Sequence, residues 1–250
     1  MAASVSAWLW LQGNPDPEVH FGFLEDFAMT DAPAAAVPLS VRLREATATA
    51  HQAAERTAFV RRMFKGTLPR NAYAALLRSL HPVYTALEAG LRSAAATPAV
   101  AHIWDPALER AASLEEDLGF YTGPTWREVA VVEPANRYAA HLKGLAVSDP
   151  ARLVAHAYVR YLGDLSGGQM IGKAIARHYN SGPDGIRFYE FDDVPDPDSR
   201  KQGYRQALDT LPLDQPGREA VVEEASRGFD FAREIFEALE RDYPAKVEEA

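Results

Sequence analysis

The stretch that decides the fold of this chain runs from Tyr158 to Lys173: Tyr-Val-Arg-Tyr-Leu-Gly-Asp-Leu-Ser-Gly-Gly-Gln-Met-Ile-Gly-Lys. On both sides of its centre, apolar residues recur at steps of three and four, a spacing that predicts a helix. The centre contains Gly163, Gly167 and Gly168. Each glycine inside a helix costs roughly 1 kcal/mol relative to alanine. Such a loss indicates a helix that bends, or one that offers a bare face to another helix or a flat ligand.

Two other interpretations of these glycines have to be weighed. A Gly-xxx-Gly spacing by itself more often marks close packing of two helices than a ligand site. The run from Gly167 to Lys173 also fits the Gly-x4-Gly-Lys pattern of a phosphate-binding loop. However, Ala174 stands where that loop needs a serine or threonine to hold magnesium, and no β-rich run precedes it. The nucleotide-binding interpretation therefore has no support.

The amino-acid composition excludes several classes of partner and of chemistry. The chain has 250 residues, of which 47% are hydrophobic and 24% charged, as expected for one globular domain. A formal charge of -9 and a pI near 5.3 argue against nucleic acid as the main partner. The absence of cysteine excludes disulfides, thiolate catalysis and iron–sulfur ligation.

Two regions differ in character along the chain. Residues 1–37 contain no Lys or Arg and are rich in proline and alanine towards their end, so a disordered N-terminal extension is predicted there. Residues 38–245 are predicted to form a single helical domain. No apolar run approaches the roughly 20 residues that span a bilayer, so no membrane partner and a cytoplasmic location are expected.

Helical periodicity and short connections predict an all-α fold, with no segment that alternates like a strand. The first helix should begin at Ser40 and continue past Phe59 to about Lys65. Further helices are predicted near 69–91 (kinked at Pro82), 98–119, 136–145, 150–179, 201–211 and 218–243. Asp149 is predicted to cap the glycine-containing helix, with Pro150 at its first position.

The glycine-containing helix carries a recognisable signature. The run Gly163-Asp164-Leu-Ser-Gly-Gly-Gln, after Arg160-Tyr161-Leu, resembles the distal-helix signature of the heme oxygenases, in which a kinked helix lies across one face of heme. The resemblance covers roughly residues 39–243. It implies a single-domain helical heme oxygenase-like fold, with heme held non-covalently between a proximal helix and this kinked distal helix.

The first predicted helix adds a second match. His51 has Thr47 and Glu55 one turn away on either side, among many small residues. A lone helical histidine is more often structural than a ligand. However, the run Leu-Arg-Glu-Ala-Thr-x-x-x-His-x-x-x-Glu that ends at Glu55 is similar to the proximal helix of heme oxygenases. The resemblance makes His51 the match to the iron ligand and Glu55 its hydrogen-bond partner.

The resemblance also implies roles for other residues. The residues implied at the distal, catalytic side are Asp164, Gly163, Arg160, Tyr84 and Tyr161, where Asp164 would hold a water chain. The residues implied to contact heme or anchor its propionates are Arg44, Glu55, Tyr158, Gly167, Gly168, Lys201, Arg205, Phe229 and Phe236. Asp164 could instead only satisfy backbone donors at the kink, and core packing explains the two phenylalanines equally well. Two departures from animal members are expected, Arg44 in place of lysine and Ala232 in place of asparagine.

The activity implied by the resemblance is oxidative cleavage of heme to α-biliverdin, carbon monoxide and ferrous iron. Heme is both substrate and cofactor in this reaction, with its iron bound by the protein. Oxygen and an external electron donor such as ferredoxin, flavodoxin or a flavin reductase are required. An acidic donor is expected to dock on a basic rim formed by Arg42, Arg44, Lys201 and Arg205.

Three rival functions remain to be distinguished at this point. A non-catalytic heme carrier would share His51 and the aromatic residues but would not need Asp164. A helical di-metal carboxylate enzyme would need Glu-x-x-His pairs, and none of the seven histidines has a glutamate three positions before it. Thiaminase-like relatives of the same fold lack the Gly-Asp-Leu-Ser-Gly-Gly run.

Overall fold

The structure is a computed structural model that describes residues 37–245. Apart from Val37, the predicted N-terminal extension lies outside the described residues. Within 37–245 every regular element is helical, which confirms the all-α prediction. The α-helices are α1 (Leu39–Glu55), α2 (Ala58–Lys65), α3 (Arg70–Ser93), α4 (Pro98–Ile103), α5 (Ala111–Thr122), α6 (Glu133–Ser148), α7 (Leu153–Ala157), α8 (Gln169–Tyr179), α9 (Pro197–Asp209) and α10 (Gln215–Asp242). None of these helices is both long and apolar enough to cross a bilayer.

The first predicted helix is two helices, so the prediction of one continuous element was wrong. Thr57 separates them, because its hydroxyl accepts the backbone N–H of Val60 at 3.5 Å and so caps α2. Gly66 ends α2 with a φ of +66°, a left-handed conformation that favours glycine. Both features are local turn signals within an otherwise helical run of apolar residues.

Helix α3 supplies much of the core and continues through Pro82 to Ser93. It packs against α5 and α6, and its tyrosines Tyr73 and Tyr84 are fully buried. Proline lacks the N–H that would continue the helical hydrogen bonding, which is why a kink was predicted at Pro82. The helix is continuous there, and the kink itself stays a prediction. Burial of Tyr84 from α3 brings a polar hydroxyl into the interior of the protein.

The helix predicted over 98–119 is also interrupted. A 3₁₀ turn at Pro106–Leu108 separates α4 from α5, and the Asp105 carboxylate accepts the Ala107 N–H at 3.0 Å. A carboxylate from α3 then caps α5: Glu88 Oε1 accepts the backbone N–H groups of Arg110 and Ala111 at 2.6 and 3.0 Å. Glu88 is buried, so this cap fixes α5 against α3 from within the core.

The glycine-containing helix is not a uniform α-helix. Between α7 and α8 the chain forms two π-helical segments, Tyr158–Leu162 and Asp164–Gly168. A π-helical turn has one more residue than an α-helical turn, and such turns are frequent at functional sites. The sequence predicted that the glycines interrupt the regular α-helix, and the interruption takes the form of these wider π-helical turns. Pro150 begins a 3₁₀ turn before α7, and the Asp149 side chain accepts a hydrogen bond from Arg152 instead of capping the helix.

Helices α9 and α10 both begin earlier than predicted, because aspartate caps precede them. Asp196 accepts the N–H groups of Asp198 and Ser199 at 3.1 Å, and Asp214 accepts that of Gly217 at 2.9 Å. The connection from 180 onwards contains a 3₁₀ turn, Arg187–Tyr189. Helix α10 packs against α1, α2, α6 and α7, so it joins the proximal and distal parts of the fold.

Candidate functional site

The proximal side of the site is built on α1. His51 is half-buried, its Nε2 lies 3.3 Å from Glu55 Oε1, and its ring centre lies 5.1 Å from that of Phe229 on α10. Burial lowers the pKa of His51, so the ring is neutral at pH 7. A neutral imidazole is the form that binds a metal, and either of its nitrogens can do so.

The two phenylalanines predicted to contact heme lie on the side of α10 that faces α1 and α2. Phe229 is tilted by 60° to the ring of His51. Phe236 stacks on Phe59 of α2, with ring centres 6.3 Å apart. Phe59 is fully buried while Phe229 and Phe236 are half-buried, so the latter two keep apolar surface that a flat ligand could cover.

One edge of the site is closed where α1 approaches the distal helix. The hydroxyl groups of Thr47 and Tyr158 contact each other, and the guanidinium groups of Arg44 and Arg205 lie close enough to affect the Tyr158 hydroxyl. Burial raises the pKa of Tyr158, and these contacts lower it. Among residues 37–245, neither arginine forms an ion pair with an acidic side chain. Thr47 was marked in the sequence only as a neighbour of His51, so its contact with Tyr158 at this edge was not predicted.

Lys201 is placed differently from Arg205, although both lie on α9. Lys201 is buried, and its Nζ lies 2.6 Å from Asp198 Oδ1 one turn earlier on the same helix. Its charge is therefore partly offset within the protein. Arg205 is half-buried and lies beside Tyr158, so α9 presents at least one cation to the edge where α1 meets the distal helix.

The distal side contains a hydrogen-bonded chain of three predicted residues. The Arg160 Nε–H donates to the Tyr84 hydroxyl at 3.0 Å, and that hydroxyl donates to Asp164 Oδ2 at 2.5 Å. Burial raises the pKa of Tyr84, so its hydroxyl keeps its proton and is the donor. Burial also raises the pKa of Asp164, while the charge of Arg160 and the hydrogen bond from Tyr84 lower it.

A second arginine, which is buried, acts on the same carboxylate. Arg110 is 6% exposed, its charge lowers the pKa of Asp164, and its guanidinium lies 4.1 Å from the ring centre of Phe191. Its side chain donates to the backbone oxygens of Glu109 and Glu190. Nothing in the sequence marked Arg110, because its separation from Asp164 along the chain gives no hint of their proximity.

The hydroxyl of Tyr161 is buried and has no hydrogen-bond partner among the described residues. Its ring lies 6.5 Å from that of Tyr84, beside the distal chain. A buried unpaired hydroxyl calls for an ordered water molecule or a ligand. A water molecule of the predicted chain could form the missing hydrogen bond to the Tyr161 hydroxyl. This role of Tyr161 stays a prediction.

The three distal glycines have different surroundings. A Cβ added to Gly163 would meet nothing within 4 Å, so open space lies beside its backbone. Gly167 is buried. A Cβ on Gly168 would come within 3.3 Å of the Tyr189 ring, so this glycine lets the Arg187–Tyr189 turn pack against the distal helix. Contact of Gly168 with heme stays a prediction, whereas its packing against Tyr189 is present.

The sequence of this chain is similar to those of known proteins. A family model described as heme oxygenase matches residues 37–238. The chain belongs to the heme oxygenase family. Heme oxygenase 1 of the cyanobacterium Synechocystis is 40% identical over 205 residues, which cover 82% of this chain and 85% of that protein. Human heme oxygenase 1 is 37% identical over 206 residues, covering 81% and 72% of the two chains.

Solved structures of heme oxygenases have the same fold. Heme oxygenase-1 of Synechocystis, crystallised in complex with heme, superposes with a TM-score of 0.80 at 40% identity, covering 83% of this chain and 94% of that one. Heme oxygenase of Leptospira interrogans gives a TM-score of 0.76 at 36% identity, covering 80% and 98%. The predicted family and helical fold are confirmed. Heme oxygenases degrade heme to biliverdin, carbon monoxide and iron, and this is the reaction of the chain.

The residues present fit heme as the substrate. His51 is neutral and can bind iron, Phe229 offers an apolar surface beside it, and the backbone of Gly163 borders open space. Arg44 and Arg205 lie together at one edge, as two negatively charged propionates require.

We expect replacement of His51 by alanine to abolish normal coordination of ferric heme and to reduce turnover to background. The fold should remain, because His51 lies at the surface of the pocket and not in the core. Absorption titration with hemin and the rate of biliverdin formation measure both effects, and added imidazole should restore coordination. His102→Ala is the control, since His102 is exposed and bonds Thr210 at 2.8 Å. Wild-type turnover by the His51 variant without imidazole would exclude His51 as the ligand.

Proposed function

We propose that His51 binds the heme iron and that Asp164, held by Tyr84 and Arg160, organises water on the opposite face of heme. The single observation that carries this is the chain from Arg160 through Tyr84 to Asp164, with bonds of 3.0 and 2.5 Å. Heme, when bound, supplies the iron that activates oxygen. The protein residues supply orientation, charge and protons.

The proposed role of Asp164 follows from how its carboxylate is held. Tyr84 occupies one oxygen, Oδ2, as donor, so the remaining acceptor positions are available for water. Gly163 brings only backbone to the adjacent space, so no acidic or basic side chain at that position reaches the oxygen-binding side. Protons would then arrive through water and not from a side chain in direct contact. A heme carrier that does no chemistry has no need for such a group.

Asp164→Asn tests this role, because the amide keeps the shape and removes the charge. We expect heme binding to persist while the yield of biliverdin falls about a hundredfold, the low end of a proton-handling contribution. Oxidation of guaiacol with hydrogen peroxide should rise, since poorly directed protons favour peroxidase chemistry. Asp230→Asn, at an exposed position on α10, should behave as wild type. An unchanged biliverdin yield from Asp164→Asn would refute the proposal.

We propose further that the α isomer of biliverdin is formed, because the cations at one edge fix the rotation of heme in its plane. Heme is nearly symmetric about its iron, so the anchored edge decides which ring carbon faces the oxygen. Arg44 and Arg205 flank Tyr158 at that edge and carry no acidic partner among the described residues. Lys201, bound to Asp198, contributes less to the anchor than Arg205 does.

Replacing Arg205 by alanine should therefore yield a mixture of biliverdin isomers, and Lys201→Ala a smaller amount of the minor isomers. The double variant should give the largest mixture, and separation of the products by chromatography measures it. Arg200→Ala is a matched control on α9, because Arg200 pairs with Asp105 at 2.5 Å. A wild-type product that elutes as the β or δ isomer would show that the anchors are assigned wrongly.

The electron donor is proposed to be an acidic ferredoxin or flavodoxin, or the flavin domain of a reductase. The proposed rim includes Arg44 and Arg205, which form no ion pair within residues 37–245, on a chain with a formal charge of -9. Arg42 belongs to it less, because it binds Glu219. Complementary charge of this kind increases the association rate. The cytoplasmic location expected from the sequence stays a prediction.

The rate constant for reduction by such a donor should fall as salt is added. Screening shortens the range of the attraction to about 10 Å at about 0.1 M ionic strength and to about 3 Å at about 1 M. Stopped-flow reduction over this range of salt measures the effect. Reduction by ascorbate, a small monoanion that needs no docking surface, serves as the baseline and should depend on salt much less. A rate constant with the protein donor that is independent of salt would contradict the charged docking surface.

A further inference from the structure

The connection between α8 and α9 is fastened to α5 by one buried carboxylate. Asp117 lies on α5 and is fully buried. Its Oδ1 accepts the backbone N–H of Arg187 at 2.8 Å, and its Oδ2 accepts that of Phe188 at 2.9 Å. We call the 3₁₀ turn Arg187–Tyr189 the tethered turn. Both oxygens of Asp117 are therefore used to hold the backbone of the tethered turn.

Only a carboxylate can hold the tethered turn in this way. Burial raises the pKa of Asp117 to about 6, although the hydrogen bonds from Phe188 and Arg187 lower it, so the group is mostly ionised at pH 7. Both oxygens of a carboxylate accept hydrogen bonds, whereas an asparagine has one oxygen and would turn an NH₂ donor towards the second backbone N–H. Burial of a charge is costly. Here the cost is offset by bonds that fix two consecutive backbone groups.

Phe188 links the tethered turn to the distal hydrogen bonds. Its ring is buried, and the centre of that ring lies 5.3 Å from the centre of the Tyr84 ring, with the two planes at 82°. Edge-to-face contacts of this kind are favoured by the charge distribution of aromatic rings. The Tyr84 hydroxyl accepts from Arg160 and donates to Asp164. A displacement of Phe188 would therefore move the ring whose hydroxyl holds Asp164.

Tyr189, the last residue of the tethered turn, contacts the distal helix directly. A Cβ on Gly168 would lie 3.3 Å from Tyr189 Cδ1, and a Cβ on Gly172 would lie 3.0 Å from Tyr189 Cβ. The two glycines therefore allow the turn and the helix to approach without a side chain between them. Gly168 ends the π-helical segment that begins at Asp164. The tethered turn thus packs on this segment as well as on Tyr84.

We propose that Asp117 is a positioning residue for the distal site. It fixes the tethered turn, Phe188 of that turn fixes the ring of Tyr84, and Tyr84 fixes Asp164. Each step is a hydrogen bond or a ring contact between neighbouring side chains or backbone groups. Asp117 takes no part in the chemistry itself, because backbone donors occupy both of its oxygens. This inference rests on the proposed function of Asp164.

Two simpler roles for Asp117 are a contribution of charge alone and the fastening of a surface loop. The side chain of Arg187 already fastens the exposed side of the loop to acidic side chains. Its partners are Glu116, Glu190 and Asp192, at 3.3, 2.9 and 3.2 Å. Asp117 instead binds the backbone at Phe188, the residue that contacts Tyr84. Its location therefore favours control of the distal site.

The test uses the full chain with bound hemin and the variants Asp117→Asn, Phe188→Leu and the double variant. The readout is the pH midpoint of the spectral change in which water on the ferric iron loses a proton, because this midpoint responds to the distal groups and not to global stability. Each single variant should shift it by about half a pH unit, the scale of a small displacement of a charged group. The double variant should shift it no more than the larger single shift, because both changes act through Tyr84.

Three further variants serve as controls. Glu116→Gln is matched to Asp117→Asn, because Glu116 is exposed, precedes Asp117 on α5 and binds only the side chain of Arg187, so the midpoint should stay unchanged. Asp164→Asn should shift the midpoint, and if it does not, the proposed function fails whatever Asp117 does. Asp117→Glu replaces Asp117→Asn if the latter does not fold. It keeps the charge, but its additional methylene displaces the turn and should shift the midpoint.

Hydrogen exchange in the heme-free chain tests the tether itself. At least one of the backbone amides of Arg187 and Phe188 should exchange about tenfold faster in Asp117→Asn than in the wild type, because it loses a hydrogen bond to a charged acceptor. In Glu116→Gln both amides should exchange at the wild-type rate, since their acceptor is unchanged.

Four results would overturn the inference. An unchanged midpoint in Asp117→Asn, with a shift in Asp164→Asn, would separate the tethered turn from the distal site. A shift in Asp117→Asn with none in Phe188→Leu would mean that the charge of Asp117 acts alone. Additive shifts in the double variant would mean that the two residues act independently. Unchanged exchange at both amides in Asp117→Asn would show that Asp117 does not hold the turn.

Discussion

The guanidinium of Arg160, a half-buried residue, is the group on which the distal side of the site depends. Removing a charge from water is costly, so it must be offset by partners in well-defined positions. Here Tyr84 accepts from Arg160 and donates to Asp164. Because Tyr84 comes from α3, these two hydrogen bonds join the distal helix to a central helix of the fold. The activity and the packing therefore share a single electrostatic constraint.

Helix α10 gives the site its second constraint, because it contacts both the distal helix and the proximal helix α1. Glu224 and Gly228 meet the distal helix at His156, and Phe229 meets the proximal helix at His51. Ala232, one turn further on, is buried and offers no polar group where an asparagine was expected in animal members of the family. In this chain the polar contacts of α10 with the distal helix are therefore made a turn or two earlier, by Glu224.

The sequence suggested site residues where a continuous run resembles a family signature. The glycines at 163, 167 and 168 with Asp164 form one such run, and His51 with Glu55 belongs to another. The contacts between helices could not be predicted in this way. Arg110 and Glu224 reach their partners across the core, and no local pattern encodes which helices meet there. The break at Thr57 and the early starts of α9 and α10 were missed because a single capping side chain outweighs the periodicity around it.

The central claim is that heme lies between His51 on α1 and the backbone of Gly163 on the distal helix, with Asp164 on the oxygen-binding side. The most direct measurement is a crystal structure of the full chain with bound hemin. The account predicts a His51 ring nitrogen bound directly to the iron, the propionates beside Arg44 and Arg205, and water bound to Asp164 above the opposite face. Iron bound by His156, His141 or no histidine, or a ring that does not face Gly163, would contradict it.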